Sequence, residues 1–291
     1  MTGRIVVGID GSPQSAGALD WAAARAALGG QELELVNAYS LPVDFNFYGY
    51  QAYAGPGPTD WLAEHSRDLL QTAAKHVEEV APGVTCTLTS EIGPAAQLLA
   101  RAAEGADAVV VGRRGLGAAT SALLGSVSNR LTLEAPCPLI VVGEDDVPAT
   151  GPVVVGVDGS DFGAAALRWA VAEAVLRTTS VRAVTAFESP NVGLRSDPEL
   201  TARMHAALEA EAAEVAAHAF EDLGTSVDVE QVTVQGRPAE AILAHATDAQ
   251  LIVVGSHGKG FVRRVLLGSV SREVLHDADR PVAVVDLPDA E

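Results

Sequence analysis

Short apolar runs alternate along the chain with longer stretches in which apolar positions follow a helical period. In the first half, the runs predict strands at residues 4–9, 32–38, 84–90, 107–111 and 139–142. The stretches between them predict helices at residues 13–28, 60–80, 94–104 and 126–133. The same order of elements follows in the second half, so the pattern predicts two similar α/β domains.

An internal repeat supports this division. The sequence IVVGIDGS at residues 5–12 matches VVVGVDGS at residues 153–160, which lies 148 positions later. Later features match at 143 positions, as Gly112 does with Gly255, so the second copy is five residues shorter. The acidic stretch between the copies is punctuated by Pro and Gly, as linkers are. We therefore expect one domain at residues 1–146 and a second at residues 152–291.

Alternating strands and helices predict a parallel sheet with helices on both faces in each domain. Five strands connected in this way most simply take the order 3-2-1-4-5. The direction of winding then reverses between strands 1 and 4, and ligands bind at the carboxyl ends of the strands beside such a reversal. In the first copy, the loops at this place are residues 8–11 and 112–128.

The second of these loops carries a glycine motif that occurs twice. Gly-x2-Gly-x9-Gly-Ser begins at residue 112 and again at residue 255, each time after a predicted strand. Glycines let backbone N–H groups approach an anion, and the helix that each motif opens favours phosphate at its N-terminus. Asp10 could bind a ribose hydroxyl or an adenine edge, and the backbone near Ala38 could read adenine.

Composition limits the partners. The 291 residues are 48% hydrophobic and carry a net charge of −19, which repels nucleic acids and anionic lipids. No apolar run approaches the ~20 residues of a membrane span, and a strand pattern begins directly after the N-terminus. We therefore expect a cytoplasmic protein that binds neither nucleic acid nor membrane. Cys86 and Cys137 lack the spacing of metal ligands, so reduced thiols and no metal site are expected.

The sequence resembles the universal stress protein family, in its tandem-domain, ATP-binding branch. The resemblance is carried by the two openings, the two glycine motifs and the segments CPLIVV and RPVAVV, with which the chain enters the predicted last strand of each domain. The resemblance implies an adenine-nucleotide α-hydrolase-like fold and one ATP in each domain, with or without Mg²⁺. By position, it implies a first site made of Gly8, Asp10, Ala38, Gly112, Arg113, Gly115, Gly125, Ser126, Val127 and Ser128. It implies a second site made of Gly156, Asp158, Ala186, Gly255, Ser256, Gly258, Gly268, Ser269, Val270 and Ser271.

The two copies depart from one another in charge. Family members often have Ser after the first motif glycine; the first copy has Arg113 there, and the second keeps Ser256. The nine-residue spacer is basic only in the second copy, which predicts that the second site holds a triphosphate more strongly. His257 matches Arg114, and we expect it near phosphate or solvent and not as a general base.

Catalysis is not favoured by the sequence, and no catalytic residue is assigned. A Gly-Lys-Ser/Thr phosphate loop is absent, so no lysine is dedicated to the phosphates. The leading hypothesis is a nucleotide-dependent stress-response regulator with little turnover. A slow ATPase or autophosphorylating protein, with Ser126 or Ser128 near the γ-phosphate, and a scaffold with structural ATP are the alternatives.

An aromatic segment distinguishes the first copy. Residues 45–53 contain Phe45, Phe47, Tyr48, Tyr50 and Tyr53, and the matching segment of the second copy has no aromatic residue. These rings could pack on their own domain, cover the cavity or contact another subunit. We expect a homodimer, with this segment as the candidate contact, and a regulatory protein partner of unknown identity.

Overall fold

The structure is a computed structural model that describes residues 3–40, 58–115, 124–143, 150–188, 198–221, 226–258 and 266–287. The chain divides into two compact units, Met1–Glu144 and Asp145–Glu291. Within the described residues, each unit contains five strands and four helices. The tandem α/β organisation predicted from the repeat is therefore confirmed.

The first unit has the predicted strand order. Its parallel sheet runs β3-β2-β1-β4-β5, so the reversal of winding lies between β1 and β4. The elements are β1 (Arg4–Gly8), α1 (Pro13–Gly29), β2 (Glu32–Tyr39), α2 (Pro58–Val80), β3 (Cys86–Ile92), α3 (Ala95–Ala102), β4 (Ala108–Gly112), α4 (Ser126–Glu134) and β5 (Leu139–Val142).

The second unit repeats this topology in the order β8-β7-β6-β9-β10, again with parallel pairing. The elements are β6 (Val153–Gly156), α5 (Asp161–Arg177), β7 (Val181–Phe187), α6 (Pro198–Glu221), β8 (Val229–Gln235), α7 (Pro238–Ala244), β9 (Leu251–Gly255), α8 (Ser269–Asp277) and β10 (Val282–Val285).

The central strands are short and almost wholly apolar because helices cover both faces of the sheet. In the first unit, Ile5, Val110 and Ile140 are completely buried on three adjacent strands. Polar residues begin where these strands end, and the loops that follow them meet at the carboxyl edge of the sheet. The arrangement brings the turn after β1 beside the loop after β4.

The first helix of each unit starts with the same cap. Ser12 accepts a hydrogen bond from the backbone N–H of Ser15 (3.1 Å), and Pro13 occupies the first helical turn, as predicted. Ser160 accepts from the N–H of Gly163 (3.0 Å) in the same way. These caps fix the turn that carries the aspartate of each opening motif.

Several predicted boundaries differ from the observed ones by one or two residues, and the third strand and third helix differ most. Strand 3 was expected at residues 84–90, but it spans Cys86–Ile92 because it stays paired with β2 as far as Tyr39. The helix expected at residues 94–104 is shorter, Ala95–Ala102, and Pro94 is its N-cap. The aromatic segment 45–53 and the basic spacer residues Lys259, Arg263 and Arg264 lie outside the described residues, so the hypotheses about them stay predictions.

Candidate functional site

A cavity of about 460 Å³ lies at the carboxyl edge of the first sheet, at the reversal between β1 and β4. Its walls come from the ends of β1, β2 and β4, from α3 and from the start of α4. Nine of the ten residues expected for the first site line it: Gly8, Asp10, Ala38, Gly112, Gly115, Gly125, Ser126, Val127 and Ser128.

The residues that line this cavity are of two kinds. Val36 and Ala38 on β2, together with Ala95 and Leu99 on α3, form an apolar surface. The start of α4 and the described ends of the glycine loop supply the polar part of the wall, with backbone N–H groups and hydroxyls. A flat apolar ring and an anionic group could be held at once by such a division.

The turn after β1 orients Asp10. Its Oδ1 accepts a hydrogen bond from the backbone N–H of Ser12 (2.9 Å), and Gly11 between them has a φ of 82°, which favours glycine. Oδ2 of the same carboxylate is directed at Gly115, since a Cβ atom there would lie 2.2 Å from it. Gly115 therefore makes room for the carboxylate at the cavity wall.

Gly112 has a different role. A Cβ atom on it would lie 2.9–3.0 Å from the backbone and Cβ of Gln14, in the first turn of α1. Backbone cannot rotate away from such a contact as a flexible side chain can. The first glycine of the motif is therefore explained by close packing of α1 on β4, independently of any ligand.

The two serines that open α4 also have different environments. Ser128 is buried, and its hydroxyl lies 2.9 Å from the carbonyl of Arg113 and 3.1 Å from that of Gly125. Ser126 is exposed in the first turn, where helix N–H groups are free to bind an anion. Ser128 thus ties the loop to the helix, and Ser126 remains available to a ligand.

Arg113, the tenth expected residue, does not line the cavity. Its backbone N–H donates to Val142 (2.8 Å), which extends the β4–β5 ladder, and its guanidinium lies beside Gly143. Its carbonyl accepts from the N–H of Gly125 (2.8 Å). The structure therefore places Arg113 behind the loop, where it supports the loop through its backbone.

Arg114 lines the cavity instead. Its backbone N–H donates to Oε1 of Gln14, and the side chain is half-buried. Its Nε is buried and has no hydrogen-bond partner among the described residues. A buried guanidinium donor without a protein acceptor fits an anionic ligand.

The second unit has a corresponding cavity of about 300 Å³. Val184 and Ala186 on β7, with Pro238 and Ile242 on α7, form its apolar wall. Nine of the ten residues expected for the second site line it: Gly156, Asp158, Ala186, Gly255, Gly258, Gly268, Ser269, Val270 and Ser271.

The backbone frame of the second cavity repeats the first. Oδ1 of Asp158 accepts from the N–H and the hydroxyl of Ser160 (2.9 and 2.6 Å). Its Oδ2 lies 2.8 Å from the place a Cβ of Gly258 would take. Ser271 is buried and donates to the carbonyl of Gly255 (2.5 Å), whereas Ser269 is exposed.

Ser256, the tenth expected residue, lies outside the wall of the second cavity, as Arg113 does in the first. It is buried, its N–H donates to Val285 (2.8 Å), and its hydroxyl lies 2.9 Å from Nδ1 of His257. His257 lines the cavity, and its ring packs against Phe162 with the centroids 5.1 Å apart. His257 thus takes the place that Arg114 has in the first unit.

Sequence reasoning missed most of the apolar wall. Val36 and Leu99 lie far from the glycine motif in sequence, and nothing polar distinguishes them. The repeat contained a signal, because Val184 and Ile242 occupy the matching positions of the second cavity. Within the described residues, no group of three or more His, Cys, Asp or Glu could hold a metal ion, and no helix is long and apolar enough to cross a membrane.

Comparison with known proteins agrees with the duplicated fold. The family model described as the universal stress protein family matches residues 1–143 and again residues 150–286. The universal stress protein Rv2623 of Mycobacterium tuberculosis is 34% identical over 287 residues, which cover 96% of this chain and 95% of the relative. Rv2005c of the same species is 34% identical over 290 residues and 96% of each chain.

Among solved structures, the crystal structure of a universal stress protein from Archaeoglobus fulgidus matches with a TM-score of 0.69. The match covers 97% of this chain and 98% of the Archaeoglobus protein, with 22% sequence identity, so it supports the fold. The two family matches extend over almost the whole length of the sequence, and the relatives are covered to a similar extent. The chain is therefore a tandem-domain member of the universal stress protein family.

Proposed function

We propose that each unit binds one ATP and that the protein is a nucleotide-dependent stress-response regulator with little turnover. The observation that carries the proposal is the duplicated cavity. Two separate units place the same glycines, the same aspartate and the same helix start around a cavity at the reversal of the sheet.

The apolar wall suits the adenine ring. Val36 and Leu99 offer side chains to the faces of a base, and the backbone of Ala38 at the end of β2 can hydrogen-bond its edge. In the second cavity, Val184 and Ile242 take the places of these two side chains, and Ala186 takes that of Ala38. Asp10 and Asp158, each held by a turn at the cavity wall, would bind a ribose hydroxyl.

The opposite end suits phosphates. The first turns of α4 and α8 present free backbone N–H groups next to exposed Ser126 and Ser269. Arg114 adds a guanidinium to the first cavity, and its buried Nε has no hydrogen-bond partner among the described residues. Mg²⁺, where it accompanies the nucleotide, would be held mainly through phosphate oxygens and water.

Little turnover is expected because the polar groups at this end are suited to binding. Ser128 and Ser271 already donate their hydroxyl protons to backbone carbonyls and are buried. Occupancy can act as a signal without hydrolysis, since a ligand that binds only the native state stabilises it by mass action. A regulatory partner, and a homodimer, would then respond to the loaded form.

A slow ATPase or autophosphorylating protein is the second candidate function, and the exposure of Ser126 and Ser269 favours it. Both hydroxyls lie at the helix starts where a γ-phosphate would be held. Of the two serines considered in the first copy, Ser126 is the better acceptor because Ser128 is engaged.

Analysis of the purified protein tests the proposal. Acid extraction followed by ion-exchange chromatography should release ATP as the main nucleotide, and a phosphate-release assay should show little turnover. Steady release of phosphate that stops in the Ser126→Ala, Ser269→Ala double variant would support the second candidate. A folded protein that contains no nucleotide and binds no added ATP would contradict both.

A further inference from the structure

The two cavities differ at the second residue after the first motif glycine. This residue is Arg114 in the first unit and His257 in the second, and each lines its cavity. An arginine side chain stays protonated at physiological pH, whereas the ordinary range of a histidine side chain lies between pH 5 and 8. One backbone position therefore carries a permanent charge in one unit and a conditional charge in the other.

We propose that His257 makes nucleotide binding by the second cavity proton-dependent, while Arg114 makes binding by the first cavity insensitive to pH. This inference rests on the proposed function, because it concerns the phosphate end of the same two cavities. Protonation of His257 places a positive charge beside Gly258 and the N-terminus of α8. Phosphate groups there would gain a charge-assisted interaction.

Two contacts of His257 accommodate both protonation states. Nδ1 lies 2.9 Å from the hydroxyl of Ser256, which can donate to a neutral nitrogen or accept from a protonated one. The ring of Phe162 lies 5.1 Å away between centroids and is tilted by 47°, and an aromatic ring tolerates a cation. Neither contact has to break when the proton binds.

Charged groups of both signs adjoin the loop that carries His257. Asp158 directs its Oδ2 at Gly258, and Nη2 of Arg272 donates to the carbonyl of Leu267 (3.0 Å). These charges are present before and after a nucleotide binds, whereas the phosphates add new negative charge next to the imidazole. Binding of the nucleotide and of the proton therefore favour one another, by linkage. On the described elements around the loop, the charged and titratable groups are Asp158 after β6, Asp161, Arg168, Glu173 and Arg177 on α5, Arg272, Glu273, His276 and Asp277 on α8, and Asp286 after β10.

The asymmetry has a functional consequence. As the pH falls, the second cavity should fill at ATP concentrations at which it is empty at higher pH, while the occupancy of the first follows ATP alone. The protein would then report two quantities, the nucleotide concentration through the first unit and acidity through the second. A chain with two identical cavities could not separate these signals.

Single-site proteins test the proposal. Gly115→Asp places a second carboxylate beside Asp10 and leaves only the second cavity, and Gly258→Asp does the reverse. Calorimetric titration with ATP at fixed Mg²⁺ should show that the second cavity loses about tenfold more affinity than the first between pH 6 and pH 8. Protonation of ATP itself is common to both cavities and cancels in this ratio.

A reciprocal exchange provides the matched control. His257→Arg should make the second cavity as insensitive to pH as the first, and Arg114→His should bring the pH dependence to the first cavity. Where a glycine variant does not fold, Ser126→Asp or Ser269→Asp disables the same cavity from an exposed position.

Two results would overturn the inference. Equal pH profiles of the two cavities, or a profile of the second cavity that survives His257→Arg, would show that His257 does not govern binding, although ATP binding itself would stand. A folded wild-type chain that binds ATP at neither pH would instead contradict the proposed function and, with it, this inference.

Discussion

The two units share a backbone frame and differ in the side chains beside the glycine loop of the cavity. In the first unit, Gln14 accepts from the N–H of Arg114, and the cavity measures about 460 Å³. In the second, Phe162 occupies the matching position, its ring packs against His257, and the cavity measures about 300 Å³. The same topology is thus combined with two different electrostatic environments.

The comparison separates the residues that build the cavity from those that adjust it. Gly112 and Gly255 both allow the first helix of the unit to pack on the strand, and Ser128 and Ser271 both tie the glycine loop down. These residues are identical in the two copies because the frame requires them. The residues that differ, above all Arg114 and His257, should determine how strongly and under which conditions each cavity is filled.

The largest effect on ATP affinity is expected when a bulky side chain is placed in the apolar part of one cavity. Ala38→Trp and Ala186→Trp put a large ring where the base would lie, so each should weaken ATP binding by its own cavity about a hundredfold or more. Calorimetric titration measures this change. Leu133→Trp, at an exposed position on α4, is the matched control and should bind as the wild type does. Equal weakening of both cavities by either variant would show that they are not independent.

A smaller effect is expected on stability from the first motif glycines. Gly112→Ala and Gly255→Ala bring a methyl group to about 3 Å from backbone atoms of Gln14 and Phe162. We expect each to destabilise its own unit by about 1–3 kcal/mol in urea unfolding. In Gly143→Ala, the described atom nearest to the new methyl group would be the end of the Arg113 side chain at 3.9 Å, so little change is expected. An unchanged midpoint for Gly112→Ala would mean that the packing contact is unimportant.

Loss of the buried serine hydroxyl should lower the free energy of unfolding by about 1 kcal/mol. Ser128→Ala removes a buried hydroxyl that bonds to carbonyls of Arg113 and Gly125, and hydrogen bonds of this kind contribute about that much. Ser126→Ala, at an exposed position, should leave the urea midpoint unchanged and lower only the affinity for ATP. If Ser126→Ala lowered the urea midpoint and Ser128→Ala lowered only the affinity for ATP, the roles assigned to the two serines would be wrong.

The smallest expected effect is on the rate at which the two thiols of the first unit react. Burial, with a smaller contribution from Asp107, raises the pKa of Cys137 to about 12, and burial raises that of Cys86 as well. Since the thiolate is the reactive form, a raised pKa means that less of it is present at pH 8. Maleimide labelling should therefore be slow at Cys137, faster at Cys86, and faster at both as the pH rises.

These thiols also report on one unit alone. ATP should slow the labelling of Cys137 a few-fold in Gly258→Asp, where the first cavity is intact, because the ligand suppresses opening of that unit. In Gly115→Asp, ATP should have no such effect. Protection in Gly115→Asp would show that the nucleotide in the second cavity stabilises the first unit too.

Much of the fold follows from local sequence, because the strands of a buried parallel sheet are short apolar runs with clear ends. Strand 5 of the first domain was predicted at its observed bounds, Leu139–Val142, and Ser12 was predicted as a helix cap. Strand 3 was misplaced by two residues since its end is set by pairing with β2, a contact between distant segments. Long-range pairing of this kind leaves no mark in the local pattern.

The part of the candidate site that the sequence predicts is the part that is repeated in both copies. Equal spacing of glycines in two copies located both loops, but spacing does not tell which side of the backbone a side chain occupies. The bond from the N–H of Arg113 to Val142 turns that side chain away from the cavity and brings Arg114 to it. The same holds for Ser256 and His257.

The central claim is that the chain has two separate nucleotide cavities of different character. A count of bound ATP by equilibrium dialysis at pH 6, at saturation, tests it most directly in the wild type and in Gly115→Asp and Gly258→Asp. The account predicts two ATP per wild-type chain and one ATP in each variant. The intact cavity of Gly115→Asp should bind its ATP with a different affinity from the intact cavity of Gly258→Asp. One ATP in the wild type, or a variant that loses both, would contradict it.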